Sequence, residues 1–228
     1  MKFPKILALL ALPLASVLAV PQAYADTYGP LNFTVWIGTY NSGVSDIADN
    51  AHLPGIGSTA TFTYTGPINF INNASNNANN TFLNFFGAAN EAFISGISPA
   101  NLTALNGTIL STPGETGNAV NAFFQIKGTM FGNGTLGISS DDGSCLYLVS
   151  TAVSGLCNPN PQTNTPGSGT VNAGSGTAFT LDYVESNGSP SDLTVTGASY
   201  ATPEPSSILM LGTGLVGLAG MVRRRMTA

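Results

Sequence analysis

Gly137-Ile138-Ser139-Ser140-Asp141-Asp142-Gly143-Ser144-Cys145-Leu146-Tyr147-Leu148 reads as strand, turn, strand. Asp-Gly is a favoured hairpin pair because both residues tolerate positive φ, so spacing alone makes Asp141 and Asp142 parts of a tight turn. Working outward, Phe123 to Phe131 and Thr135 to Ser139 predict strands on the upstream side. Downstream, the Pro/Gly/Ser/Asn segment from Asn158 to Gly176 predicts a long loop. Ala178 to Glu185 then predicts a strand with Phe179, Leu181 and Tyr183 on one face, and Leu193 to Thr196 closes the sheet.

Further towards the N-terminus, Leu31 to Tyr40 sets Leu31, Phe33, Val35 and Ile37 against polar or small residues, the period-two pattern of a half-buried strand. Trp36 has the opposite parity and is read as a packed aromatic, with a sugar-stacking platform as the alternative. Thr59 to Thr65 alternates threonines with Ala60, Phe62 and Tyr64, and Gly66-Pro67 turns it. Ile68 to Ile71 and Thr81 to Phe86 are further strand candidates. Between them, Asn72 to Asn80 reads as a low-complexity polar loop too poor in apolar groups to be buried. Glu91 to Leu110 fits either helix or strand. His52, with Asp46 and Asp49 upstream, has no partner spacing that supports catalysis or a metal.

The ends of the chain differ from its middle. Lys2 and Lys5, an apolar run from Ile6 to Val20 and Ala23-Tyr24-Ala25 form a signal peptide over 1–25, so signal peptidase should leave Asp26 first. At the other end, Ser206 to Val222 is uncharged for 17 residues. As a helix rising ~1.5 Å per residue it would reach about 25 Å, enough to enter a bilayer core. Arg223, Arg224 and Arg225 follow and should hold the C-terminus on the cytoplasmic side. Pro203 and Pro205 keep the preceding strip extended and accessible.

That partition leaves a 26–201 domain with one lysine, no arginine and ten acidic residues. Such a surface cannot grip phosphates, which excludes nucleic-acid binding. Abundant Gly, Asn, Thr and Ser favour short strands and tight turns, and the length suffices for one β-sandwich core. Cys145 and Cys157 both fall in the exported part. A disulfide between them closes a short loop and would stabilise by about 3 kcal/mol in the chain-entropy account. Two thiols with no nearby histidine do not make a zinc site.

Two resemblances follow from these residues. Pro203-Glu204-Pro205, the apolar run with Gly212, Gly214, Gly217 and Gly220, and the arginine cluster resemble the PEP-CTERM sorting tail of exopolysaccharide-producing Gram-negative bacteria. The resemblance implies a tail over 202–228 that holds the chain in the inner membrane until an exosortase recognises 203–205 and releases it. The Gly137–Leu148 hairpin, followed by Phe179-Thr180-Leu181-Asp182-Tyr183-Val184-Glu185-Ser186-Asn187-Gly188, resembles the β-sandwich module named after anthrax protective antigen, which also occurs in yeast flocculins. This implies a mainly β, antiparallel β-sandwich, which the signal helix and transmembrane helix read from the two ends would flank. It also implies Ca²⁺ held by Asp141 and Asp142, joined by a cis peptide, with Asn187 completing the shell.

The function expected is non-enzymatic: an exported surface or extracellular-matrix protein that binds extracellular polysaccharide through Ca²⁺. The alternative is a purely structural matrix component whose aspartates only shape the turn. A hydrolase is disfavoured because there is no Gly-x-Ser-x-Gly elbow and only one histidine. Adjacent Asp141 and Asp142 also cannot straddle a glycosidic bond.

Overall fold

The computed structural model describes residues 30–39, 46–73, 75–113, 119–160 and 164–197. The expected signal peptide (1–25) and the sorting tail (202–228), with its membrane span, lie outside these residues. Among the described residues no helix is long and apolar enough to cross a membrane.

The regular elements run β1 (Leu31–Thr39), β2 (Ala60–Tyr64), β3 (Asn69–Asn72), α1 (Phe82–Phe86), β4 (Ile94–Ser95), α2 (Pro99–Asn106), β5 (Val120–Asp141), β6 (Ser144–Leu148), β7 (Thr151–Asn158), β8 (Thr165–Glu185) and β9 (Ser191–Gly197). All strand pairings are antiparallel. Two strands of more than 20 residues, β5 and β8, pair along most of their length and carry the others. The first half of β5 takes β1 on its free edge, in register from Asn32↔Lys127 to Thr39↔Val120. Its second half takes β9, from Leu136↔Gly197 to Asp141↔Asp192. The register shifts between Met130 and Asn133, where the ladder is bulged.

One wing of the sheet is therefore β4-β2-β1 on β5, extended through β8 to β6 and β7, and the other is β3-β9 on the far half of β5. The expectation of a mainly β, antiparallel fold holds, but the expected β-sandwich is one open, continuous sheet with two wings rather than two separate sheets. The wings face each other across an aromatic core: Phe70 of β3 lies 6.1 Å from Phe33 of β1 and 5.6 Å from Tyr64 of β2, between ring centroids. Period-two alternation built the β1 side, since Leu31, Phe33 and Val35 are buried with polar residues between them.

Four expectations change. Thr81 to Phe86 is helical rather than extended, because Phe82, Phe85 and Phe86 at spacing three and four all enter the core from one helix face. Thr81 caps that helix by accepting from the Asn84 N–H. The Asn158–Gly176 loop is largely strand: β8 starts at Thr165, and Val171 and Ala173 are the buried positions of its first half. Glycines serve backbone approach there, since a Cβ on Gly169 would meet the Ser154 carbonyl and come 2.9 Å from Leu156 Cγ. β7 was missing from the sequence reading altogether, and Phe123 to Ser139 is one strand, not two. Finally, the asparagine-rich stretch is not wholly exposed, because Asn72 and Asn80 are buried. In Glu91–Leu110, a 3₁₀ turn (Ala88–Phe93) leads through β4 to α2.

Trp36 packs on the outer face against Phe123, 5.8 Å away, and donates to the Ile56 carbonyl. His52 is exposed and pairs with Asp49 at 2.7 Å, in a turn whose N–H groups the same carboxylate also accepts. The expected disulfide joins Cys145 to Cys157, directly opposite each other on β6 and β7.

Candidate functional site

Asp141 ends β5, Asp142 and Gly143 connect it to β6, which begins at Ser144, and the peptide bond between Asp141 and Asp142 is cis. Both side chains are largely buried, at 9% and 3% exposure. Asp142 Oδ2 accepts from the Ser186 N–H at 2.6 Å and from the Ser186 hydroxyl at 2.9 Å. These bonds tie the hairpin to the turn that follows β8. Asn187, in that turn, has a left-handed backbone with φ 66°, a conformation Asn tolerates better than most residues. Its amide reaches back to Ser186 Oγ at 3.4 Å, and the residue is exposed. The turn thus brings Asn187 within one residue of the serine that holds Asp142.

Burial pushes the Asp142 carboxyl up to about 7, opposed by the Ser186 bonds and reinforced by Asp141. Asp141 also rises through burial. Asp192, opposite Asp141 across the β5–β9 ladder, rises for the same reason and through Asp141 itself. One Asp192 oxygen accepts from Asn164 at 2.6 Å, while the other is buried without a hydrogen-bond partner. Like charges directly opposite each other on a ladder repel. The ion pair of His52 with Asp49 does not involve this cluster.

Behind the pair, Tyr183 Oη donates to the Asp141 carbonyl at 2.6 Å and lies 2.9 Å from Glu185 Oε2. Glu185 is fully buried and accepts from Asn80 and Ser111 through its other oxygen. Its carboxyl is held well above the usual range by burial and then by Asp142. Sequence reading missed Tyr183, Glu185, Ser186 and Asp192 as parts of the site. A signal existed for Glu185, which shares the inward parity of Phe179, Leu181 and Tyr183, where an acid must find partners. The cross-ladder role of Asp192 depended on a β5–β9 pairing that no local pattern reveals.

A further buried acid lies on the outer face. Asp182 is fully buried beneath the 47–52 turn. Gln125 Nε2 donates to its Oδ1 at 3.1 Å and lies 3.3 Å from Asn50 Oδ1, while Oδ2 has no hydrogen-bond partner. Burial raises its carboxyl to about 6, against the lowering effects of Gln125 and Lys127.

Hard carboxylate and amide oxygens that lack a compensating cation are the donor set that Ca²⁺ takes. The orphaned Asp192 oxygen beside Asp141 fits the same chemistry. The oxygens present are of the type the implied ion takes, while among the described residues no group of three or more His, Cys, Asp or Glu is gathered closely enough to hold a metal.

Residues 201–225 match the PEP-CTERM protein-sorting motif. The motif implies an exported chain processed by an exosortase at the membrane. No curated protein sequence matches. Among solved structures, the chain is similar to the PA14 sugar-binding domain from an RTX adhesin, at 14% identity and TM-score 0.49, over 76% of this chain and 92% of that one. It is also similar to the PA14 domain of the MpAFP antifreeze protein, at 15% identity and TM-score 0.44, over 81% and 90%. A GH31 alpha-xylosidase from Xanthomonas citri matches at 10% identity and TM-score 0.37, over 80% of this chain and 16% of the enzyme.

Proposed function

We propose that this protein is a non-enzymatic glycan-binding component of an extracellular matrix, delivered by the PEP-CTERM route. Its Asp141–Asp142 pair and Asn187 hold Ca²⁺, and its ligand is an extracellular polysaccharide. The observation that supports this most is a desolvated, mutually repelling set of carboxylates at the end of a hairpin, joined by Ser186 to an exposed asparagine turn. When bound, the ion neutralises the pair and offers open positions to sugar hydroxyls.

The protein's own residues do the positioning. Ser186 fixes Asp142 Oδ2, Tyr183 fixes the Asp141 carbonyl, and Asn164 fixes Asp192. With one lysine and no arginine between the two terminal segments, the surface favours a neutral glycan over a polyanionic one. The protective-antigen-type resemblance of the hairpin and the Asn187 turn points the same way.

A second reading has its own support: Asp142 already accepts two hydrogen bonds from Ser186 and so could serve only to lock the turn. Retention of the intact protein on immobilised exopolysaccharide, in calcium and then in chelator, separates them. Calcium-dependent retention that disappears in Asp142→Ala is the expected result. Equal retention in chelator, or by the folded Asp142→Ala variant, overturns the calcium-mediated reading, and no retention in either condition overturns glycan binding itself.

A further inference from the structure

The turn that carries Asn187 does not hold its own shape. Gly188 has φ 91°, and a Cβ there would collide with Asn77 Oδ1 and lie 2.9 Å from Pro113 Cδ, so the chain passes tightly against the asparagine-rich segment. Asn77 Oδ1 accepts from the Ser189 N–H at 2.9 Å and from the Ser189 hydroxyl at 3.2 Å. The Gly188 N–H is taken by Ser111 Oγ at 3.0 Å, and Ser111 in turn accepts from Asn80 at 2.9 Å. Asn80 Oδ1 accepts from Ser191 at 2.8 Å, beyond the turn.

Side-chain amides from one short segment thus hold the turn at both ends. An amide suits this work because it donates and accepts without bringing charge to an already acidic place. The segment is itself fixed: Asn76 caps the 3₁₀ turn at Asn77–Asn79, and Asn72 donates to Asn79 and Asn80. A stretch that reads as polar filler is therefore a brace between the end of β3 and the loop after β8.

We propose that Asn77 is a positioning residue for the ligand-binding turn, setting where Asn187 stands relative to Asp141 and Asp142. The proposal rests on the calcium reading above. Removing a group that orients a metal ligand typically weakens metal affinity ~10- to 100-fold. Calcium affinity of the intact protein is measured by calorimetry in wild type, Asn77→Ala, Asn77→Asp, Asn73→Ala and Asp142→Ala, with thermal midpoints alongside. Asn77→Ala is expected to weaken calcium about tenfold. Asn77→Asp, which keeps the acceptor, should restore it at high salt, and Asn73→Ala, an exposed neighbour, should bind as wild type.

A purely structural role would lower the midpoint of Asn77→Ala without moving affinity, and that outcome overturns the proposal. So does Asn77→Ala binding like wild type while Asp142→Ala does not bind. If Asp142→Ala itself binds calcium normally, the underlying reading fails, and with it this one.

Discussion

Replacing Asp182 by asparagine should change how stability depends on pH more than it changes stability at any one pH. The carboxyl is fully buried, receives one hydrogen bond from Gln125 and has a second oxygen with no partner. Burial raises it from 3.8 to about 6. An acid whose folded value exceeds its unfolded value binds more protons in the native state. Its contribution is therefore fully present below about pH 4 and is lost as pH rises towards about 6. Two units at about 1.4 kcal/mol each amount to about 3 kcal/mol. The asparagine variant keeps the Gln125 acceptor and does not titrate. Urea unfolding of both proteins at a series of pH values, disulfide intact, gives the difference directly, and other titrating acids largely cancel in it. The stability of wild type relative to Asp182→Asn should fall by about 3 kcal/mol between pH 4 and 7 and then level. Profiles that run parallel across that range would refute the reasoning, because burial could then not be what holds the proton.

Phe86 stacks on Phe70 at 4.2 Å and contacts Phe33, Phe62, Tyr64 and Phe82, so Phe86→Ala should destabilise by about 3–5 kcal/mol in denaturant titrations. Reducing the Cys145–Cys157 bridge, or making Cys157→Ser, should cost about 3 kcal/mol and lower the midpoint of thermal unfolding. Tyr183→Phe strips a buried partner from the Asp141 carbonyl and from Glu185, so it should cost about 1–3 kcal/mol in the same titrations.

How far the sequence reveals this fold depends on which pattern carried the information. Alternation over Leu31–Val35, Phe62–Tyr64 and Phe179–Tyr183 is a local consequence of one buried face, and the strands stand where it puts them. The first half of β8 is mostly glycine, serine and threonine, because its neighbours approach by backbone, and Val171 and Ala173 alone are too short an alternation to announce it. α1 was misread because five residues, four of them apolar, carry a helical spacing and a strand pattern at once. At the site, the hairpin and the Asn187 turn are legible as motifs, and the structure links them through Ser186. The acids around them, Glu185 and Asp192, matter only once β8 and β9 are both paired with β5. The asparagine brace is hidden for the opposite reason: its composition is that of a solvated loop, and only long-range partners give it a task.

Calorimetric titration of calcium into the intact protein, before any glycan is added, bears most directly on the claim that the hairpin acids form a cation site. One saturable event per chain, abolished in Asp142→Ala while the fold persists, is the expected outcome. Heats no larger than those of dilution, or saturation unaltered by that substitution, contradict it.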